Sequence, residues 1–351
     1  MTDKIKLSSK QIGINQKPFI IAEMSGNHNQ SLERGMAIVK AAADAGVDAI
    51  KLQTYTADTI TFNSSNEEFQ INDENSLWKG RNLYNLYKMA YTPWEWHKPL
   101  FDYANELGLI AFSSPFDETA VDFLETLNVP VYKIASFENT DHILLKKVAK
   151  TGKPVIMSTG VATIADIQES VKLLQAYGCK ELVLLKCTST YPASPEATNI
   201  LTIPHMRQLY NCPVGLSDHT MGIGVSIASI ALGACVIEKH LTLSRAEGGV
   251  DAAFSLEPAE FKRLVTEAER AFLSLGHVNY ELSDKEKKSL QFKRSLYIVK
   301  DIKAGEIITA QHVKSIRPGN GLHTRYYEEV IGKKMKTDAT AGTPLKFGLF
   351  A

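Results

Sequence analysis

Eight short apolar runs, spread over the first 240 positions of this 351-residue chain, set the strongest limit on its fold. They are Phe19–Met24, Ala49–Gln53, Leu109–Ser113, Val131–Ala135, Val155–Ser158, Leu182–Cys187, Val214–Ser217 and Cys235–His240. Between most of them lie longer stretches with apolar residues at helical spacing, such as Leu32–Ala45, Trp94–Leu107, Ile164–Tyr177 and Val225–Leu232. The runs are near-continuously apolar rather than alternating, the pattern of parallel strands covered by helices. Eight βα units in about 255 residues match the size of a TIM barrel. A doubly wound open sheet would usually carry a Gly-rich turn after its first strand. That position reads Glu23-Met24-Ser25-Gly26-Asn27-His28, so the sequence predicts an α/β fold of the (β/α)8 type.

Two connections are too long for simple loops, Tyr55–Tyr91 and Leu241–Pro258. Both belong on the C-terminal rim, where insertions act as lids or substrate walls. The first carries Leu77-Trp78, Tyr84 and Tyr87 and is expected to be partly packed. The predicted barrel occupies residues 1–284, and 285–292 reads as a charged linker. Residues 293–351 form a β-rich module with turns at Ala304-Gly305, Arg317-Pro318-Gly319-Asn320-Gly321 and Ala341-Gly342. Charge supports this division. From Lys287 onward there are 13 Lys/Arg against 5 Asp/Glu, and the preceding part holds 26 against 34, in a chain balanced at 39 each. A basic module docking on an acidic body accounts for the split, as does a plain solvated surface.

Composition excludes several classes. An apolar content of 44% argues against disorder, and no apolar run approaches the ~20 residues of a membrane span. The start, Met1 to Lys10, is polar and lacks an export signal, so a cytoplasmic location is expected. The tail has no basic helix face, zinc-finger spacing or RNA-binding aromatics, and no nucleic acid partner is expected. Cys179, Cys187, Cys212 and Cys235 form no Cys-x-x-Cys pair and are expected as reduced, buried thiols. No P-loop motif is present.

In such a barrel, polar residues at the C-terminal strand ends read as site residues. Here they are Glu23, Lys51, Gln53, Ser113, Ser114, Lys133, Ser136, Ser158, Thr159, Lys186, Thr188, Ser189, Ser217, Asp218, His219, Glu238, Lys239 and His240. A lysine inside an apolar strand is costly unless it meets an anion. Lys51 and Lys133, ringed by Ser114, Ser136, Ser158 and Ser217, therefore describe a site for a phosphorylated or carboxylated ligand. The alternative is that each lysine pairs with a barrel carboxylate such as Glu23 or Glu238; for Lys186 that alternative is the stronger. His219 and His240 end adjacent strands and could share one divalent metal, or serve as rim histidines or a base. His28 suits a loop role. Asp251, in Gly248-Gly249-Val250-Asp251, is a turn former or a hydroxyl ligand. Gly222-x-Gly224 resembles a phosphate cradle only weakly.

Taken in order, these residues resemble the nonulosonate (sialic acid) synthases over nearly the whole chain. The stretches are Ile21-Ala22-Glu23 with Asn27-His28, Lys51-Leu52-Gln53, Phe112-Ser113-Ser114-Pro115-Phe116, Tyr132-Lys133-Ile134-Ala135-Ser136 and Ser158-Thr159-Gly160. They continue with Cys187-Thr188, Tyr191-Pro192, Gly215-Leu216-Ser217-Asp218-His219 and Ile237-Glu238-Lys239-His240. Arg317-Pro318-Gly319-Asn320-Gly321 looks like the antifreeze-like (SAF) domain that closes this family. Gln53–Asp58, Leu77-Trp78, Leu83-Tyr84 and Thr92–His97 look most like the pseudaminate-forming members. Ser189 stands where N-acetylneuraminate-forming members carry Asn.

The resemblance implies condensation of phosphoenolpyruvate with the aldehyde of an acetamido sugar. The sugar is either a 2,4-diacetamido-trideoxy-altrose, or N-acetylmannosamine or the legionaminic precursor. Phosphoenolpyruvate falls to Lys51, Ser114, Lys133, Ser136, Ser158 and Ser217. Gln53, Ser189, Tyr191, Asp251 and Arg317 face the sugar. Glu23, His219 and His240 carry catalysis, and His219 and His240 hold the metal, manganese before magnesium or cobalt. The family also implies a domain-swapped homodimer, with Arg317 reaching a partner's site. Two rival classes are a Schiff-base aldolase using Lys186 or Lys133, and a non-enzymatic binding protein whose barrel is scaffold.

Overall fold

A computed structural model describes residues 4–74 and 76–351. They form two compact units, one ending at Gly276 and the other spanning His277–Ala351.

The first unit opens with an antiparallel hairpin, β1 (Lys4–Leu7) and β2 (Lys10–Gly13). Eight parallel strands then close into a barrel: β3 (Phe19–Glu23), β4 (Ala49–Thr54), β5 (Ile110–Pro115), β6 (Tyr132–Ile134), β7 (Val155–Ser158), β8 (Leu182–Cys187), β9 (Val214–Ser217) and β10 (Val236–His240). The TIM barrel expected from the eight apolar runs is thus the observed fold. After β3 comes α1 (Leu32–Ala45). The insertion after β4 carries α2 (Ala57–Ile60) and α3 (Leu83–Ala90) before the strand's own covering helix, α4 (Trp94–Glu106). The remaining covering helices are α5 (Glu118–Thr126), α6 (His142–Lys150), α7 (Ile164–Ala176), α8 (Thr202–Tyr210), α9 (Gly224–Ala231) and α10 (Pro258–Leu275).

Local chemistry sets the helix ends. Ser31 caps α1 by accepting from Arg34 N–H, and Gly46 ends it at φ 83°, a left-handed position that glycine takes without strain. Thr163 and Asp166 form a reciprocal capping box at α7.

Successive strand residues point to opposite faces, and this period divides the core in two. Ile20, Ile50, Leu52, Met157, Leu184 and Ile237 face the helices, in one large apolar layer. Phe19, Ile21, Phe112, Ile156, Leu185 and Val236 face the barrel axis. Ile5, Leu7 and Ile12 of the hairpin belong to that axial cluster and are at most 2% exposed, so the hairpin plugs the N-terminal end of the barrel. Burying each such side chain contributes about 1.5–3 kcal/mol. The polar reading of Met1 to Lys10 gave no hint of this plug. At the other end the axial positions become polar, and there the site lies.

The second unit begins at His277, ahead of the stretch read as linker. Ser283 and Glu286 box the start of α11 (Asp284–Ser289). Antiparallel β11 (Ser295–Ile298) and β12 (Val313–Ile316) follow, then α12 (Tyr327–Val330), around a core of Leu296, Ile298, Ile302, Val313, Val330 and Leu345. The 317–321 loop is braced by Ser295, whose hydroxyl donates to Pro318 O at 2.7 Å and accepts from Gly321 N–H at 2.9 Å. Arg317 is exposed on that loop.

Candidate active site

The C-terminal mouth of the barrel holds a cavity of about 710 Å³. Its floor is a buried quartet of alternating charge. Lys51 Nζ contacts Glu23 Oε2 and lies 3.9 Å from Glu238 Oε1, and Lys133 Nζ lies 3.5 Å from the same Glu238 oxygen. Lys51 donates to Ser114 Oγ at 3.1 Å, Lys133 donates to Ser158 Oγ at 2.8 Å, and Ser217 Oγ donates to Glu238 at 3.4 Å. Both readings of the two lysines therefore hold together, since each pairs with a carboxylate and each lines the cavity.

The electrostatics follow from burial. Burial pushes the Glu23 carboxyl up to about 7, against the opposing pull of Lys51. Burial also acts to raise Glu238, but Lys133 and Lys51 overcome it and hold that carboxyl below its usual range. Burial pushes Lys133 down, with Glu238 pulling the other way, so the quartet can bring two lysines to an anion while Glu23 exchanges a proton near neutrality.

Around the quartet lie Gln53, Ser136, Ser158, Ser189, Tyr191, Ser217, His219, His240 and Asp251, all expected from the strand ends and rim. Ser136 and Ser189 approach closely only because position 160 is glycine; a Cβ there would lie 2.7 Å from one hydroxyl and 2.0 Å from the other. Ser114 is fully buried behind Lys51 and does not border the cavity.

Strand alternation corrects other expectations. Lys186 sits on the helix-facing side of β8, in a separate cavity of about 540 Å³ against α7 and α8, and donates to Cys187 O at 2.9 Å. It is removed from the mouth and from any Schiff-base role there. Asp218 and Lys239 form a buried ion pair at 3.0 Å on the helix-facing side of the barrel. Ser113 bonds Thr54 at 2.6 Å, and Thr54 meets His97 at 2.8 Å. His28 accepts from Gln30 N–H, so its other nitrogen donates to Thr92, and burial pushes it down to about 4 in its loop role. Neither Gly222 nor Gly224 borders the mouth cavity.

His219 and His240 stand side by side, ring centroids 5.4 Å apart. His219 Nδ1–H donates to the Thr188 carbonyl at 3.0 Å, which leaves Nε2 with a free lone pair. His240 Nδ1 is buried without a hydrogen-bond partner, 3.9 Å from Asp251 Oδ2. Burial, with His219 and Lys51, holds its ring well below the usual histidine range and so neutral. The neutral His240 ring and the Nε2 lone pair of His219 fit a divalent metal that keeps open positions. Among the described residues no cluster of three or more His, Cys, Asp or Glu has metal-binding geometry, so a closed structural site does not fit.

Several cavity residues escaped the sequence reading. Glu138 lies just past Ser136 with one carboxyl oxygen buried and unpartnered, and burial pushes it up to about 7. Its signal was an acid two residues beyond a strand-end serine. Asp251 accepts from Ser25, which went unread as a site residue. Tyr55, at 3% exposure, meets Tyr87 and Phe116 edge to face at 5.7 and 5.0 Å. Trp78 Nε1 donates to Val250 O at 3.0 Å, tying the insertion after β4 to the loop after β10.

Comparison with known proteins bears on the same residues. The NeuB family profile matches residues 38–280 and the SAF domain profile matches 293–351. The chain is 44% identical over 335 residues to the pseudaminic acid synthase of Campylobacter jejuni subsp. jejuni serotype O:2, covering 95% of this chain and 97% of that protein. With the N,N'-diacetyllegionaminic acid synthase of the same strain the identity is 37%, covering 91% and 96%. Among solved structures, the N-acetylneuraminic acid synthetase of Leptospira borgpetersenii serovar Hardjo-bovis in complex with citrate superposes with a TM-score of 0.73. It is 32% identical and covers 83% of this chain and 96% of its own.

Proposed function

The chain belongs to the NeuB family, and from that membership we propose that it catalyses the pseudaminic acid synthase reaction. Phosphoenolpyruvate condenses with the open-chain aldehyde of 2,4-diacetamido-2,4,6-trideoxy-L-altrose, giving a nine-carbon 2-keto acid and phosphate. The observation that carries this reading is the Lys51–Glu23–Glu238–Lys133 quartet, open to the cavity and flanked by Ser136, Ser158 and Ser217. The higher identity to the pseudaminic than to the legionaminic relative favours the altrose-derived sugar.

Lys51 and Lys133 bind the carboxylate and phosphate of phosphoenolpyruvate and offset their charge, and Ser114 holds the Lys51 ammonium in place from behind. The methylene carbon of phosphoenolpyruvate then bonds to the aldehyde carbon, whose oxygen takes a proton and becomes a hydroxyl. Water adds to the electron-poor C2, losing a proton, and the C–O bond to phosphate breaks. Glu23, with its carboxyl near 7, can take or return a proton at neutral pH, and it orients that water. Gln53, Ser189, Tyr191 and Asp251 hold the sugar hydroxyls. The metal we assign to His219 and His240 is manganese, with magnesium and cobalt as alternatives; when bound it supplies a Lewis acid for a carbonyl oxygen. We further assign a cytoplasmic homodimer in which Arg317 of one copy serves the site of the other.

The test is phosphate release from phosphoenolpyruvate with Mn²⁺ and each of three sugars: the diacetamido-altrose, the legionaminic precursor and N-acetylmannosamine. Release with the first alone is expected. Release only with another sugar would keep the barrel chemistry and overturn the pseudaminate assignment, and release with none would overturn the function.

A further inference from the structure

The mouth cavity has two unlike halves. Its floor is the charged quartet with its serines, but the side built by the insertion after β4 is mainly apolar and phenolic, with Asp73 and Ser76 as its other polar residues. Leu77, Leu86 and Ala90 line it, together with the rings of Tyr55, Tyr87 and Trp78. Leu86 and Ala90 lie on α3 and are 7% and 9% exposed, so this wall is part of a packed layer. It is also held in place. Trp78 is bonded to Val250 O, and Gly26 makes room for the loop after β10, since a Cβ there would lie 2.4 Å from Val250 Cγ2.

Two phenol hydroxyls stand among its apolar groups. The hydroxyls of Tyr55 and Tyr87 make no hydrogen bond among the described residues, although both side chains are largely buried and line the cavity. Neither hydroxyl is sealed from the cavity, so each stands as a donor from which a bound ligand can accept. An apolar surface broken by phenol donors matches an acetamido group, which offers a methyl and a carbonyl acceptor. It matches poorly a ring face of free hydroxyls, which would lose water against leucine without recovering a bond.

We propose that the wall of Leu77, Leu86, Tyr87 and Ala90 is the subsite that selects the sugar. It takes the second acetamido group and the deoxygenated carbon, with the methyls against Leu77, Leu86 and Ala90 and the acetamido carbonyl accepting from Tyr87. This rests on the function proposed above. The insertion after β4 is therefore the specificity element, and the floor is indifferent to which sugar arrives.

The test uses the full-length enzyme with Mn²⁺ and two variants. Tyr87→Phe keeps the ring and its contact with Tyr55 while removing the donor. Leu77→Ser alters a residue 48% exposed, so folding is not at risk. Each is expected to raise the KM for the diacetamido sugar by about 3- to 10-fold, the loss of one hydrogen bond or one buried methyl contact. KM for phosphoenolpyruvate should stay within twofold, so the loss falls on the sugar alone. Wild-type release with the diacetamido sugar, together with an unchanged KM for that sugar in both variants, would overturn the subsite and leave the function standing. No release by the wild type with any of the sugars would overturn both.

Discussion

Replacing Lys133 by methionine removes a charge while keeping most of the side-chain volume, and its consequences can be worked from the quartet. The ammonium lies 3.5 Å from Glu238 Oε1 and donates to Ser158 at 2.8 Å. At an effective dielectric of about 20, the pair is worth about 5 kcal/mol before desolvation. The net effect on stability is smaller. Leaving one partner of a buried pair behind costs about 3–5 kcal/mol, and Lys51, 3.9 Å from the same oxygen, moves the expectation to the lower end.

Binding should change more selectively. Loss of one hydrogen bond to a charged group is worth about 1.5–3 kcal/mol, so KM for phosphoenolpyruvate should rise roughly 10- to 150-fold. KM for the sugar should stay near the wild-type value. The assay is initial-rate phosphate release with each substrate varied in turn, beside urea melts across pH. Glu238 is held below its usual range, so its pairing stabilises the fold above about pH 4.5, the ordinary carboxylate value, and is lost as pH falls through the lowered one. The stability gap between wild type and variant should therefore be full at neutrality and close in acid. A phosphoenolpyruvate KM within threefold of wild type, with the sugar KM raised instead, would refute the anion assignment.

His219→Ala should weaken Mn²⁺ binding at least tenfold by direct titration, and an unchanged isotherm would remove this histidine from the metal pair. Gly160→Ala puts a methyl within 2.0 Å of Ser189 Oγ and 2.7 Å of Ser136 Oγ, so kcat/KM should drop while the melting transition moves little. Ile12→Ala should lower stability by about 2–5 kcal/mol in denaturant melts, with the specific activity of folded enzyme preserved. A simultaneous loss of activity in folded Ile12→Ala protein would mean the plug also shapes the mouth.

The barrel was legible because each strand is apolar on both faces, so position along the chain alone located it. Leu182–Cys187 and Val155–Ser158 were bounded correctly for that reason. The site was less legible because a strand-end residue has a second coordinate, the face it occupies. In β8, Lys186 and Cys187 are adjacent, and only the latter faces the axis. Reading outward from apolar axial positions such as Leu185 would have separated them, as would the register that sets Glu23 beside His240. Tyr87 and Trp78 were harder, since their place depends on how a long insertion folds back over the rim. The plug residues gave almost no signal, because Ile5, Leu7 and Ile12 are single apolar residues among polar ones. A hairpin buried on one face produces that spacing, but so does an ordinary solvated tail.

That hairpin bears on the order of assembly. Its residues leave the ribosome well before the surface they seat on is complete, since that surface includes Val236, more than 220 positions later. During synthesis Ile5, Leu7 and Ile12 therefore have no complete seat until the last strand closes the ring. A segment made before the barrel strands is thus the last to dock, and contacts so distant along the chain form slowly. Until then it is an exposed apolar arm, within reach of chaperones and of other nascent chains. A bulky group fused just ahead of this hairpin would bear on that closing step.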